Sequence, residues 1–244
     1  MKDDKKRILT VILLIFIVAL SAINVFKEKD DVNNNDNDNK TITDAVKFKN
    51  EYESLNEKVA IGDYKYPTVT LTDTNPFVYE SSEKIIETLK SGTGIIYLGF
   101  PKCPWCRNAV NVLSYLNVDK IMYLDMADER DTYELVDGAL KKTKDGSKEY
   151  YEMLNILDDI LSDYEIEDNG KTYSVGEKRI YVPLVIGVKD GKIVGYHADT
   201  VELNEGQTAF DLLSNEQQEK LKNIYDDIKD KVYGDTCGLS DKGC

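Results

Sequence analysis

Gly94-Ile95-Ile96-Tyr97-Leu98-Gly99-Phe100 is an unbroken apolar run of strand length. A strand that is apolar on both faces belongs inside a sheet covered on both sides, as in mostly parallel sheets. Asn108 to Leu116 then carries Val110, Leu113 and Leu116 at helical spacing, and Lys120-Ile121-Met122-Tyr123-Leu124-Asp125 is a second strand-like run. Strand, helix and strand within about 35 residues make a βαβ unit with a right-handed crossover. The predicted class is therefore α/β.

Other segments attach to this unit. Ser82 to Lys90 places Ile85, Ile86 and Leu89 on one face, follows a Ser pair able to cap it and stops at Gly92, which predicts a short helix. Tyr181 to Val188 and Lys192 to Tyr196 are apolar runs joined by Lys189-Asp190-Gly191, a hairpin signal. The last helix has a Ser214-Asn215-Glu216-Gln217 capping box, an apolar face of Leu221, Ile224, Tyr225, Ile228 and Val232, and Gly234 beyond it. Ala45 to Lys58 is weakly helical, and Thr68 to Thr72 alternates like a short strand. Residues 127–178 are expected to form a helix-rich acidic insertion, because Leu154, Leu157 and Leu161 recur at near-heptad spacing before an Asp168-Asn169-Gly170 turn.

Charge separates the chain into regions. The formal net charge of −14 divides into +2 over residues 1–26, −3 over 27–44 and −13 over the remainder. An acidic field of this size repels phosphate backbones, so nucleic acid is not an expected partner. A basic cluster, Lys2 to Arg7, precedes a 19-residue apolar run from Ile8 to Phe26. That length nearly matches a hydrocarbon core of about 30 Å. Residues 1–26 are thus expected to be a transmembrane signal anchor, with a cleaved signal peptide as the competing reading. Both put the basic end in the cytoplasm and the bulk of the chain outside it, as a single-pass membrane protein or a secreted one. Residues 27–44, rich in Asn and Asp, read as a flexible tether. The domain then spans 45–234, and residues 235–244 form a tail.

The scarce reactive residues are four cysteines. Cys103-Pro104-Trp105-Cys106 falls between the first buried strand and its helix, where unpaired N–H groups and the helix dipole favour an anionic sulfur. Lys102 and Arg107 flank the pair and are expected to add to that field. Pro104 suits the first turn of a helix, and two intervening residues let the sulfurs close a small ring. Trp105 is expected to be exposed, as an aromatic platform facing a substrate. Zinc is the weaker reading, since a second C-x-x-C is absent and His197 stands alone; no metal or other cofactor is expected. Cys237 and Cys244 read either as a local disulfide or as a mobile second dithiol that exchanges with the first.

On these residues the chain resembles the thioredoxin-like thiol-disulfide oxidoreductases, over about residues 80 to 234. The strand Gly94 to Phe100, the motif Cys103-Pro104-Trp105-Cys106 opening a helix, and Tyr181-Val182-Pro183-Leu184-Val185-Ile186 before a hairpin carry the likeness. The resemblance implies a central mixed sheet flanked by helices, a helical insertion, a cis proline at Pro183 beside the sulfurs, and a redox-active disulfide between Cys103 and Cys106. A Pro inside a strand-like run independently argues for a strand start or a special peptide bond. The resemblance also implies that Cys103 attacks, that Cys106 resolves, and that the backbone at Val182 and Pro183 holds the substrate. Expected partners are exported protein or peptide thiols and disulfides, with a membrane electron donor or acceptor. The chain departs from thioredoxins at Tyr97, six residues before Cys103, where they keep a buried acid. The competing class is a non-catalytic accessory or binding module on the same scaffold, serving an exported peptide or protein system.

Overall fold

Alternate residues of the central strand of the main sheet face two different cores. The structure, a computed structural model, describes residues 42–234. In chain order the elements are α1 (Asp44–Glu53), β1 (Val59–Ile61), β2 (Tyr64–Lys65), β3 (Phe77–Tyr79), α2 (Ser82–Ser91), β4 (Gly94–Gly99), α3 (Pro104–Leu113) and β5 (Ile121–Asp125). They continue as β6 (Thr132–Val136), β7 (Ala139–Lys144), α4 (Lys148–Ile156), β8 (Ser162–Asp168), β9 (Lys171–Arg179), β10 (Leu184–Lys189), β11 (Lys192–Ala198) and α5 (Asn215–Tyr233). Five strands form one mixed sheet in the order β11-β10-β4-β5-β3. β4 and β3 run parallel to β5, whereas β10 is antiparallel to both β4 and β11.

All six residues of β4 are buried, as expected for a central strand. Ile95 and Tyr97 face a core shared with Phe48 and Tyr52 of α1, Val110 and Leu113 of α3, and Leu221, Tyr225, Ile228 and Val232 of α5. Ile96 and Leu98 face the opposite core, with Ile85, Ile86 and Leu89 of α2 and Tyr150 and Met153 of α4. The molecule's main body is thus helices, sheet, helices. The predicted caps are in place: the Ser81 hydroxyl accepts from the Lys84 N–H, and Ser214 with Gln217 closes a reciprocal capping box. Asp190 and Gly191 both adopt positive φ and turn β10 into β11, as the two-residue hairpin signal requires.

Two expectations are corrected. Residues 127–178 are not a helical insertion, since α4 is their one α-helix and Leu161 is already extended beyond it. Turn chemistry overrides the leucine spacing: Asp137-Gly138 and Asn169-Gly170 all take positive φ, and each joins a two-stranded sheet, β6-β7 and β8-β9. Residues Asp131–Asp145 and Asp163–Lys178, which carry these hairpins, cluster as one compact unit, separate from the main body. Inside that unit Tyr133 packs edge-on against Tyr164, ring centroids 5.6 Å apart.

Thr68 to Thr72 is the second correction. It alternates in burial, with Val69 and Leu71 inside, yet it belongs to no strand. Its backbone is satisfied by side chains instead: Asn56 bonds both the N–H and the C=O of Val69, Glu53 accepts from the Leu71 N–H, and the Asn111 amide donates to the Thr68 carbonyl at 2.8 Å. Among the described residues no helix is long and apolar enough to cross a membrane. The proposed anchor, nearly all of the tether, and Cys237 and Cys244 lie outside the described residues.

The core is rich in buried phenols, and this sets a pH limit. Burial pushes the Tyr52, Tyr97, Tyr123 and Tyr225 hydroxyls up from an ordinary value of about 10. The fold holds these protons and the unfolded chain releases them. Stability is therefore fully present below about pH 10 and declines as pH rises above it. Of the 16 tyrosines, these four should form tyrosinate only as the native circular dichroism is lost. Tyrosinate absorbance from all sixteen while the fold remained intact would contradict this assignment.

Candidate active site

The register of the main sheet brings two distant segments together. β10 pairs with β4 with Leu184 opposite Leu98, so the residues preceding Leu184 run alongside the turn that leaves β4 for α3. That turn carries Cys103 and the segment carries Val182 and Pro183. The Val182–Pro183 peptide bond is cis, and Pro183 is buried with its carbonyl accepting from the Asp199 N–H at 2.9 Å.

Cys103 is the N-cap of α3. It takes an extended conformation, and its Sγ accepts the Cys106 N–H at 3.3 Å, in the position a Ser or Asp oxygen would otherwise fill. Pro104 follows in the first helical turn, where a missing N–H leaves no bond unmade. Both cysteines are free thiols and both are buried. The Cys103 thiol points to the Val182 carbonyl at 3.7 Å, so it faces the segment to which the resemblance assigns substrate contacts. Burial, and then the neighbouring Cys103 sulfur, push the Cys106 thiol well up from its ordinary value. The two sulfurs thus occupy different environments, one at the cap and one beneath it.

Trp105, expected to be exposed, is half-buried, while Lys102 is exposed. Arg107 differs from expectation: it is fully buried and does not flank the thiols in solvent. Its Nε donates to the Pro67 carbonyl at 2.6 Å, one terminal nitrogen donates to the Tyr52 and Pro101 carbonyls at 2.8 and 3.3 Å, and the other to Asn56 Oδ1 at 2.6 Å. All four partners are neutral oxygens, and burial lowers the Arg107 pKa. The helical spacing from Arg107 to Val110 places this arginine on the buried stripe of α3, a signal present in the sequence. His197 is part-buried and bonded through its ring Nε2 to the Thr200 carbonyl at 2.7 Å, a structural contact.

Two further groups were not anticipated. Arg130 lies over the Phe100 ring at 4.9 Å, three residues before Cys103 in the chain, and its buried Nε has no hydrogen-bond partner among the described residues. Burial first, and then the charge of Arg179, lower its pKa to about 10, while the Cys103 and Cys106 sulfurs act in the opposite sense. It therefore remains a cation within electrostatic reach of the dithiol. Beneath Cys106, the Tyr97 hydroxyl donates to the Cys106 carbonyl at 3.5 Å and lies 3.1 Å from the Tyr52 hydroxyl.

Arg107 ties the Pro67 and Tyr52 carbonyls to the start of α3. Arg107→Leu should lower stability by about 3 kcal/mol in denaturant unfolding, because several buried oxygens lose their donor. Arg107→Lys should recover only part of that loss, since an ammonium cannot reproduce the fork. Wild-type stability in Arg107→Leu would contradict the account. Compared with protein-family models, curated proteins and solved structures, the chain matches none.

Proposed function

We propose that the chain is an extracytoplasmic thiol-disulfide oxidoreductase on a thioredoxin-like scaffold, held at the cell membrane through residues 1–26. The observation that carries this reading is the Cys103 sulfur capping α3, 3.3 Å from the Cys106 N–H and 3.7 Å from the Val182 carbonyl. A sulfur at a helix N-terminus is favoured as the anion, and only the thiolate attacks a disulfide. Arg130 adds a cation within electrostatic reach of the same sulfurs. The parallel β4-α3-β5 unit, with antiparallel β10 and β11 beside it, supports the scaffold assignment.

The reaction follows from the two environments. The Cys103 thiolate attacks one sulfur of a substrate disulfide, a mixed disulfide forms, and the first substrate thiolate leaves. Cys106 then attacks Cys103 Sγ, closing the Cys103–Cys106 disulfide and releasing the second substrate sulfur. Two electrons pass from the dithiol to the substrate, and the reverse sequence oxidises a substrate dithiol. The Val182 carbonyl and its neighbours would bind the extended substrate backbone by strand-like hydrogen bonds, with Trp105 packing against it. Exported thiols and disulfides are the proposed substrates, and a membrane electron carrier closes the cycle.

The full chain should catalyse reduction of a model protein disulfide in the presence of a dithiol reductant. Cys103→Ser should abolish turnover, and Cys106→Ser should accumulate a substrate mixed disulfide visible on non-reducing gels. Absence of turnover in the wild type, with no trapped species in Cys106→Ser, would favour the accessory-module reading instead.

A further inference from the structure

The core beneath the dithiol is polar in a particular place. Tyr97 and Tyr52 are both fully buried, yet they turn their polar ends toward each other and toward Cys106. Phenylalanine would fill the same volume without leaving two hydroxyls to satisfy. Tyr97 lies on β4 and Gly99 two residues later on the same face, where any Cβ would overlap the Tyr97 hydroxyl and ring edge. A glycine within a central strand weakens it and marks a close approach. Here the close approach is the phenol folding over Gly99 toward the helix that carries Cys106.

We propose that Tyr97 is a positioning residue for resolution: its hydroxyl, supported by Tyr52, turns from the Cys106 carbonyl to the Cys106 sulfur as that sulfur becomes a thiolate. This rests on the oxidoreductase reading. A tyrosine hydroxyl has one proton to donate. While Cys106 is a thiol, Tyr97 donates to the Cys106 carbonyl and Tyr52 donates to Tyr97. During resolution the Cys106 proton goes to the departing substrate sulfur, or to solvent where an acidic aromatic thiolate departs, the Cys106–Cys103 bond forms, and the Cys103–substrate bond breaks. The phenol gives no proton away, because burial raises its own pKa and keeps it neutral.

The other titratable groups near Cys106 do not duplicate this role. Cys103 raises the Cys106 thiol pKa, whereas Tyr97 is a side chain that lowers it. Tyr225 from α5 and Arg130 lie within electrostatic reach of the Cys106 charge, and Arg107 is engaged by four neutral oxygens. The carboxylates of this neighbourhood, Asp125 and Asp199, act on Tyr123 and Tyr225. Tyr123 stacks on Tyr97 with centroids 5.5 Å apart, but among the described residues its hydroxyl makes no hydrogen bond to Tyr97 or Cys106, so it provides an internal control for packing.

The test isolates resolution. The full chain is reacted with an aromatic disulfide reagent, and release of the aromatic thiolate from Cys103 by Cys106 is followed against pH. In Tyr97→Phe the release at neutral pH should slow by about tenfold and its inflection should move to higher pH, as expected when a hydrogen bond to a charged group is lost. Tyr52→Phe should shift the profile in the same direction by less, and Tyr123→Phe should leave it unchanged. A wild-type profile in Tyr97→Phe overturns the proposal, as does an equal shift in Tyr123→Phe, which would assign the effect to packing. If Cys103 in the wild type forms no mixed disulfide at all, the oxidoreductase reading fails first, and the two failures are thereby distinguished.

Discussion

The first N–H groups of a helix have no partner within it, and in α3 one of them is taken by the Cys103 sulfur. That single contact fixes where the helix begins, directs its positive end at the Cys103 sulfur, and places Cys106 in the first turn, buried as Cys103 is. The rest of the main body holds this junction still. β4 enters it from the centre of the sheet with every residue buried, and β10 lies alongside in a register that sets Val182 next to Cys103. A shift of one residue in that pairing would turn every β10 side chain to the opposite core, so the site inherits its geometry from how these side chains pack in the two cores.

Around the junction the core is more polar than a simple α/β layer needs. Arg107 satisfies carbonyls from three separate segments, and Asn56, Glu53 and Asn111 satisfy the backbone of the extended run before β3. These bonds join loops to helices where no strand could reach. They also make the neighbourhood of the thiols rigid, since each buried polar group that lost its partner would carry a desolvation penalty. Within that frame Cys103 and Cys106 differ in surroundings although they are three residues apart, and the proposed division into attack and resolution rests on that difference.

Much of this arrangement is legible in the amino-acid order. The unbroken run of β4, the Ser caps of α2 and α5, and the Asp190-Gly191 turn each have a local cause, and each element lies close to its expected position. Asp137-Gly138 carries the same turn signal, but leucine spacing further along masks it, and a hairpin stands where helix was expected. Thr68 to Thr72 has strand periodicity without a strand, because pairing partners are a tertiary property. At the site, the two cysteines, Pro104 and the Val182–Pro183 segment follow from motif and position. Arg130 does not, since it lies in a connection after β5 and reaches the dithiol only through the fold. Tyr52 sits on a weakly patterned helix, and its hydroxyl acquires meaning only once Tyr97 and Gly99 are seen on one face of β4.

Redox chemistry at Cys103 and Cys106 is the central claim, and the reduction potential of that pair in a glutathione buffer tests it most directly. A catalytic pair should oxidise and reduce reversibly with a midpoint between about −270 and −120 mV, the span of exchange-active dithiols. Failure to form the Cys103–Cys106 disulfide, or a midpoint below about −300 mV as in structural bridges, would contradict it.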